Sequence, residues 1–375
     1  MFGIAKFEDI RKNLKKHKKI FQEWFKKGYG ADMDYLKKME NDRYHPESKL
    51  TDAKSVIVLG AIYSDNDYNS GYGCGYSGGC LINHNSSHKA VAGSHNCSVV
   101  ARYARGKDYH KILKKKLVEL SDWLKTEFPK SQPKADPRLA ENVKGQRSIV
   151  ETYVSVDSGP TVDRVLAESA GLGFFGKNTC IIDPSRGSFF FIASVLTNIE
   201  LPATDKRRMP NCGNCERCIQ NCPTGALVAP GVLDARKCIS YLTIENKGGI
   251  PEELRAKIGN RIFGCDECQK VCPFNVGRAH HQQITIDKLK AENGVGMYLD
   301  LKEILSIQSD EEFQQKFAGT PLMRAKRRGL IRNACVVAGN CGIKKMIPYL
   351  KKIIEDESDE MIKGHAKWAI LKLKI

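Results

Sequence analysis

The chain has 375 residues, 41% of them hydrophobic and 27% charged, which is room for two or three domains and the composition of an ordinary soluble globular protein. No apolar run approaches the roughly 20 residues of a membrane helix and no signal-peptide pattern opens the chain, so a helical membrane protein is excluded and a cytoplasmic one is expected. A formal net charge of +17 and a pI near 9.2 point to a polyanionic partner, nucleic acid first.

In chain order, residues 1–45 read as helical, with Phe2, Ile10, Leu14, Ile20, Phe21 and Trp24 at roughly helical spacing among lysines. Ser55–Ile62 (SVIVLGAI) reads as a buried strand. Residues 64–98, rich in Gly, Ser, Asn and Tyr, read as a loop or insertion. Its Cys74, Cys80, Cys97, His84, His88 and His95 are either free side chains or an irregular metal site. Residues 109–128 form an amphipathic helix, 129–147 a polar connection, Thr152–Val156 a strand, and Asp157-Ser158-Gly159-Pro160 a turn. A helix is predicted over 161–170, ended by Gly171-Leu172-Gly173, and strands over 174–183 and 188–197. Strands alternating with helices up to about residue 200 predict an α/β or α+β domain.

Residues 202–210 read as a linker, 211–276 as a cysteine-rich module and 280–320 as interrupted helix. Leu330-Ile331-Arg332-Asn333-Ala334 matches Ile362-Lys363-Gly364-His365-Ala366 at an offset of 32, with a third apolar helix over 343–354 between them. Such a repeat reads as HEAT-like α-solenoid units or as an irregular helical cap. Residues 321–375 hold nine Lys and four Arg against five Asp or Glu, so positive charge is concentrated there.

Fourteen cysteines without a secretory signal favour metal ligation over disulfides. Cys212-x2-Cys215-x2-Cys218-x3-Cys222-Pro223 is the run of bacterial ferredoxins. Three thiolates wrap one cubane and the fourth, before proline, crosses to the other cluster. Cys265-x2-Cys268-x3-Cys272-Pro273 repeats the run one ligand short, and Cys238 is the natural substitute. The crossing rule assigns Cys212, Cys215, Cys218 and Cys272 to one [4Fe–4S] cluster and Cys222, Cys238, Cys265 and Cys268 to the other. Structural zinc also uses Cys-x2-Cys pairs, yet it does not call for three cysteines at two-residue gaps plus a Cys-Pro in near copy. Two clusters make an electron relay serving an active site in the preceding segment.

Residues 212–275, from CGNCERCIQNCPTGALV to FGCDECQKVCPFN, closely resemble the epoxyqueuosine reductase family of queuosine-forming tRNA enzymes. ARYARGKDYHKIL (101–113), VDSGPTVDRVLAESAGLGFFGKNT (156–179) and TPLMRAKRRGLIRNACVVAGN (320–340) agree with it. The resemblance implies an α+β multidomain protein. Residues 1–200 would be a nitroreductase-like α/β cobalamin domain, 201–280 a ferredoxin-like module with two [4Fe–4S] clusters, and 281–375 a HEAT-like helical tRNA-binding domain. It implies reduction of epoxyqueuosine to queuosine at the wobble position of a tRNA, with cobalamin reduced by the clusters. An external low-potential donor such as a flavodoxin or ferredoxin would feed a monomer.

The resemblance makes Asp157 the proton donor, a role that needs a raised pKa; the other role open to Asp157 is capping the helix behind it. Ser240, Cys265 and Asp266 match positions that approach the corrinoid, and Lys177 and Asn178 are expected to hold the corrin or shape their loop. Arg102, Tyr103, Asp108, Tyr109 and His110 lie in a family-like stretch, as a helix start or as site residues. No Asp-x-His-x-x-Gly signature occurs, so a protein histidine on cobalt is not indicated. For tRNA phosphates the expected cations are Arg324, Lys326, Arg327, Arg328 and Arg332, too many within a few turns for all to pair internally, with a solvated helix face as the other reading. Tyr241 and Thr243 are further candidates to reach the nucleotide. The stretches 64–98 and 129–147 depart from the family pattern.

Two other classes stay open. A corrinoid reductase of a small molecule, like the reductive dehalogenases, would carry a twin-arginine leader and have no use for a basic helical C-terminus. A non-catalytic ferredoxin-type carrier would have no use for residues 1–200.

Overall fold

The protein is described by a computed structural model over residues 1–63, 98–128, 150–205, 209–276 and 286–374. The expected loop 64–98, apart from Ser98, and the connection 129–147 lie outside these residues, as do Cys74, Cys80, Cys97, His84, His88 and His95.

A four-stranded antiparallel sheet runs in the order Phe2–Lys6, Ser55–Ile62, Phe190–Thr197, Thr152–Val156. The unbroken apolar run SVIVLGAI needs cover on both faces, because successive side chains point opposite ways. Val56 and Val58 pack with Ile10 and Leu14 of the Phe7–Lys26 helix and with Val165 and Leu166 of the Asp163–Ser169 helix. Ile57 and Val195 face the other way, onto Leu113 and Leu117 of the Tyr109–Glu127 helix. Each such side chain contributes roughly 1.5–3 kcal/mol when fully buried, and together they fix the layer order.

The helix predicted from residue 1 begins at Phe7, because Phe2–Lys6 is an edge strand on Ser55–Ile62. Five residues are too few to show a period, and the pairing that decides the matter is more than fifty residues away. Gly3 permits it: a Cβ there would stand 2.0 Å from the Ala170 carbonyl. The strand predicted over 174–183 is a tight hairpin, Phe174–Phe175 against Ile181–Ile182.

A second, three-stranded sheet sets Ser98–Val100 between Arg261–Phe263 and Tyr298–Leu299. One strand comes from each of the three segments expected as domains, so they interlock. The C-terminal helices Lys326–Asn340, Ile347–Asp356 and Glu360–Lys374 bury the repeated residues Leu330, Ala334, Ile362 and Ala366 in one core with Val100 and Phe263. Among the described residues no helix is long and apolar enough to cross a membrane.

Candidate active site and cluster module

The strand Thr152–Val156 delivers Asp157 into a turn in which this non-glycine residue has φ +49°. A left-handed residue costs about 1–3 kcal/mol and persists only where its surroundings over-determine it. Here Ser155 and Thr161 share a 2.7 Å hydroxyl bond, and Thr161 donates to Asp163 at 2.6 Å. Gly159 closes over Ser155, whose Oγ would stand 2.1 Å from a Cβ. The helix behind the turn starts at Asp163 and takes no side-chain cap, so Asp157 does not cap it.

The Asp157 carboxylate instead meets the start of the Tyr109–Glu127 helix. Tyr109 donates its hydroxyl to Asp157 Oδ2, and His110 Nε2 lies 3.6 Å from the same oxygen. His110 Nδ1 is 2.8 Å from Oδ1 of Asp108, which also accepts the His110 backbone N–H as the helix N-cap. The Tyr109 ring stacks on Phe191 of the central sheet at 3.9 Å, which fixes the hydroxyl.

Partial desolvation pushes the Asp157 carboxyl up, though its side chain is 64% exposed, and hydrogen bonds from His110 and Tyr109 with the charges of His110 and Arg164 outweigh it and hold the group below the ordinary carboxylate range. The raised pKa expected for Asp157 is one that burial against a corrin would have to supply. Burial alone would depress His110, yet its two carboxylate partners raise it to about 9. At neutral pH the proton of this trio rests on the imidazole.

In the cysteine module, Cys212, Cys215, Cys218 and Cys272 line a cavity of about 40 Å3 beside Lys177 and Phe274. Burial raises the Cys218 thiol first, and its neighbours Cys212 and Cys272 add to that. Cys238 is raised by burial and then by Cys222, and Cys268 by burial and then by Cys180, Cys265 and Cys238. Cys212, Cys215, Cys218 and Cys272 thus share one cavity, while Cys238 neighbours Cys222 and Cys268 neighbours Cys265 and Cys238. Among the described residues no three metal-binding side chains converge on a point as a single ion requires. In a cubane each thiolate binds its own iron, so the sulfurs stand further apart than around one ion.

Lys177 and Asn178 belong to these loops. The Lys177 backbone N–H donates to Cys212 Sγ at 3.4 Å, the Lys177 ammonium pairs with Glu216 at 3.8 Å, and Asn178 donates to the Cys268 carbonyl at 3.1 Å. N–H donors on cluster sulfur are among the groups that set a cluster potential. Cys180, on the same hairpin and next to Cys268, is a thiol that its lone position in the sequence did not signal.

Between the module and Asp157 stand Arg102, Tyr103 and Asp266. Asp266 is buried and accepts the Arg102 N–H at 2.8 Å, while the Arg102 guanidinium lies over Phe189 at 4.5 Å. Burial, then the charges of Asp157 and Asp266, raise the Tyr103 hydroxyl, so this side chain stands near both carboxylates. Ser240 Oγ donates to the Cys265 carbonyl at 3.4 Å. Tyr241 and Thr243 are buried and spoken for. Tyr241 accepts the Asp32 N–H at 3.1 Å, and Thr243 donates to the Ile239 carbonyl at 2.7 Å and accepts the Gly264 N–H, so neither is free to meet a nucleotide.

The arginines do pair internally, against expectation. Arg324 makes a bidentate pair with Glu245 at 2.8 and 3.0 Å, Arg327 meets Glu357 at 2.7 Å, and Arg328 meets Asp359 and the Lys247 carbonyl. Arg332 is 1% exposed and donates to the carbonyls of Leu242, Asn246 and Gly248 at 2.6–2.8 Å. The Ile239–Ile244 helix ends there with carbonyls that have no partner within the helix, and a guanidinium fork carries enough donors to satisfy them. Lys326 is exposed.

The comparisons agree with this geometry. A family model described as a 4Fe-4S double cluster binding domain matches residues 211–275, so the module is one for two four-iron clusters. A second, described as epoxyqueuosine reductase QueG, DUF1730, matches residues 43–137. An epoxyqueuosine reductase of Francisella cf. novicida (strain Fx1) is 34% identical over 97% of this chain and 91% of its own. That of Escherichia coli (strain K12) is 32% identical over 93% and 80%. Among solved structures, an epoxyqueuosine reductase with a tRNA-Tyr epoxyqueuosine-modified stem loop superposes with a TM-score of 0.76 at 29% identity, covering 100% of this chain and 86% of that one. One from Bacillus subtilis, with its catalytic aspartate loop swung out of the active site, gives 0.73 at the same identity and the same coverage. With the sequence likeness running nearly end to end and the cluster ligands in place, the chain belongs to the epoxyqueuosine reductase family, oxidoreductases of queuosine formation in tRNA.

Proposed function

We propose that this chain removes the epoxide oxygen of epoxyqueuosine at the wobble position of a tRNA in a cobalamin-dependent reaction, with Asp157 and His110 handling the proton. The observation that carries this reading is the Asp108–His110–Asp157 trio, which stores a proton at neutral pH beside Tyr103 and the cluster-two loop. Breaking both bonds to the epoxide oxygen and forming the ring alkene takes two electrons and two protons, and the oxygen leaves as water.

The outer cluster, whose loop residues Gly213, Asn214 and Arg217 are exposed, receives electrons from a low-potential flavodoxin or ferredoxin. The inner one, next to buried Asp266, passes them inward one at a time. Ser240, Cys265, Asp266 and Asp157 are the residues that would hold the corrinoid, and Tyr103 stands near both Asp157 and Asp266. When bound, cobalamin supplies low-valent cobalt able to reduce or attack carbon. The protein's own part is protonic: His110 Nε2 gives one proton through Asp157 Oδ2 to the departing oxygen, the second proton comes from solvent as the imidazole is reprotonated, and Tyr109 holds that carboxylate in line.

In this reading residues 1–200 are a nitroreductase-like domain and 281–375 a HEAT-like one, in a cytoplasmic monomer. Anaerobic protein, reconstituted with iron, sulfide and cobalamin and supplied with reductant, should turn epoxyqueuosine-containing tRNA into queuosine-containing tRNA by nucleoside mass spectrometry. Unchanged substrate from protein carrying both clusters and the corrinoid overturns the reading.

A further inference from the structure

Of the cations expected to meet tRNA, Arg327 and Arg332 are committed within the fold, Arg324 and Arg328 pair with carboxylates at the surface, and Lys326 is exposed; a second group of cations lies on another face. An open cleft of about 470 Å3, the size of a nucleotide-scale site, lies against the start of the Tyr109–Glu127 helix. Lys107, Lys111 and Lys288 line it, and all three are exposed. Two carboxylates also line it, Asp108 and Asp287, but each has its own cation. Asp108 pairs with His110 at 2.8 Å, and Asp287 pairs with Lys290 at 2.9 Å and accepts from Asn293 at 2.9 Å. Among the described residues Lys107 and Lys288 form no ion pair, Lys111 acts on Asp108 only through its charge, and three lysines against two carboxylates in the lining leave the cleft with surplus positive charge.

The lysines are held in place by backbone. Lys107 N–H donates to the Lys288 carbonyl at 2.9 Å, and Asp108 N–H to the Gly319 carbonyl at 2.8 Å. Gly106 allows the two segments to meet, since a Cβ there would stand 2.5 Å from the Leu289 carbonyl. The cleft also shares a wall with the proton store: Asp108 lines it while gripping the imidazole that faces Asp157. A polyanion seated there has its neighbouring nucleotide beside the catalytic carboxylate.

We infer that Lys107, Lys111 and Lys288 bind the backbone phosphates flanking the nucleotide that is reduced, and so set how the anticodon loop enters the site. This rests on the proposed tRNA reaction and adds to it the surface that positions the substrate. Phosphate contacts carry position rather than sequence, so the cleft should act equally on modified and unmodified loops.

The test uses the full holoprotein and an anticodon stem-loop RNA without the modification, read by fluorescence anisotropy across salt concentrations. The combined variant Lys107→Gln, Lys111→Gln, Lys288→Gln should bind at least about tenfold more weakly near physiological salt, with the salt slope reduced by about 0.7 for each single-strand phosphate no longer neutralised. The corresponding Lys→Arg variant should restore most of the affinity. Lys351→Gln with Lys352→Gln, outside the cleft, should change little. In turnover the Gln variant should raise KM for tRNA with kcat and iron content held. Wild-type affinity and slope in the Gln variant, or an equal loss in the Lys351/Lys352 control, overturns the inference. Should wild-type protein bind the loop through these lysines yet leave epoxyqueuosine intact, the proposed reaction fails while the cleft stands.

Discussion

His110 Nε2 lies 3.6 Å from Asp157 Oδ2, while His110 Nδ1 is held at 2.8 Å by Asp108, and between these two carboxylates the imidazole keeps its proton to about pH 9. In the proposed reaction the acid is therefore the ring rather than the carboxyl. Asp157→Asn should keep both clusters and lose roughly 10²–10⁴-fold in kcat, the usual worth of a positioned acid–base group. An unchanged rate removes Asp157 from the chemistry.

The same geometry sets a pH dependence. His110 has a folded pKa raised from 6.5 to about 9, so the ring stays charged through neutrality and loses its proton as pH rises through about 9; the stability it contributes is full below about 6.5 and is lost over the same rise. Turnover should therefore fall on an alkaline limb near pH 9. In His110→Gln that limb should vanish along with most of the rate. A limb that persists in the variant assigns it to another group.

Arg332 should prove structural. Arg332→Met strands the buried Leu242 carbonyl and removes the donors to the part-buried Asn246 and Gly248 carbonyls, at a cost of about 1–3 kcal/mol in denaturant unfolding. Arg324→Ala removes an exposed pair with Glu245 and should cost about 0–1 kcal/mol. Equal losses would contradict the burial difference between them.

The cluster assignment predicts selective damage. Cys238→Ser should cost the inner cluster and leave the outer one, with about half of the iron and sulfide lost, whereas Cys272→Ser should cost the outer one. Electron paramagnetic resonance of the two reduced variants should show complementary signals. Identical spectra would mean that the ligand sets are not divided as Cys222 beside Cys238 and Cys272 beside Cys218 imply.

Gly159→Ala tests the Asp157 turn. The new methyl would meet Ser155 Oγ, displace its bond to Thr161 and shift Asp157 from Tyr109. A fall in kcat of more than about tenfold is expected, with a stability cost within the roughly 1–3 kcal/mol of a local overpacking. Full activity would show that the turn does not position Asp157.

The cysteine spacing by itself pointed to the double-cluster module, because a cubane takes its thiolates from one tight local loop plus a crossing Cys-Pro, and both are written as short intervals. The run Ser55–Ile62 and the helix from Tyr109 were equally legible, since burial on two faces or on one stripe prints a period in the residues. The tertiary structure alone decided where charge ends up. Tyr109 and His110 reach Asp157 across forty-odd residues and hold its carboxyl low. Arg324, Arg327 and Arg328 find Glu245, Glu357 and Asp359, Arg332 finds backbone carbonyls, and Lys107, Lys111 and Lys288 come together on one cleft. A charge acts on whatever lies within a few ångströms of it, and only the folded chain says what that is.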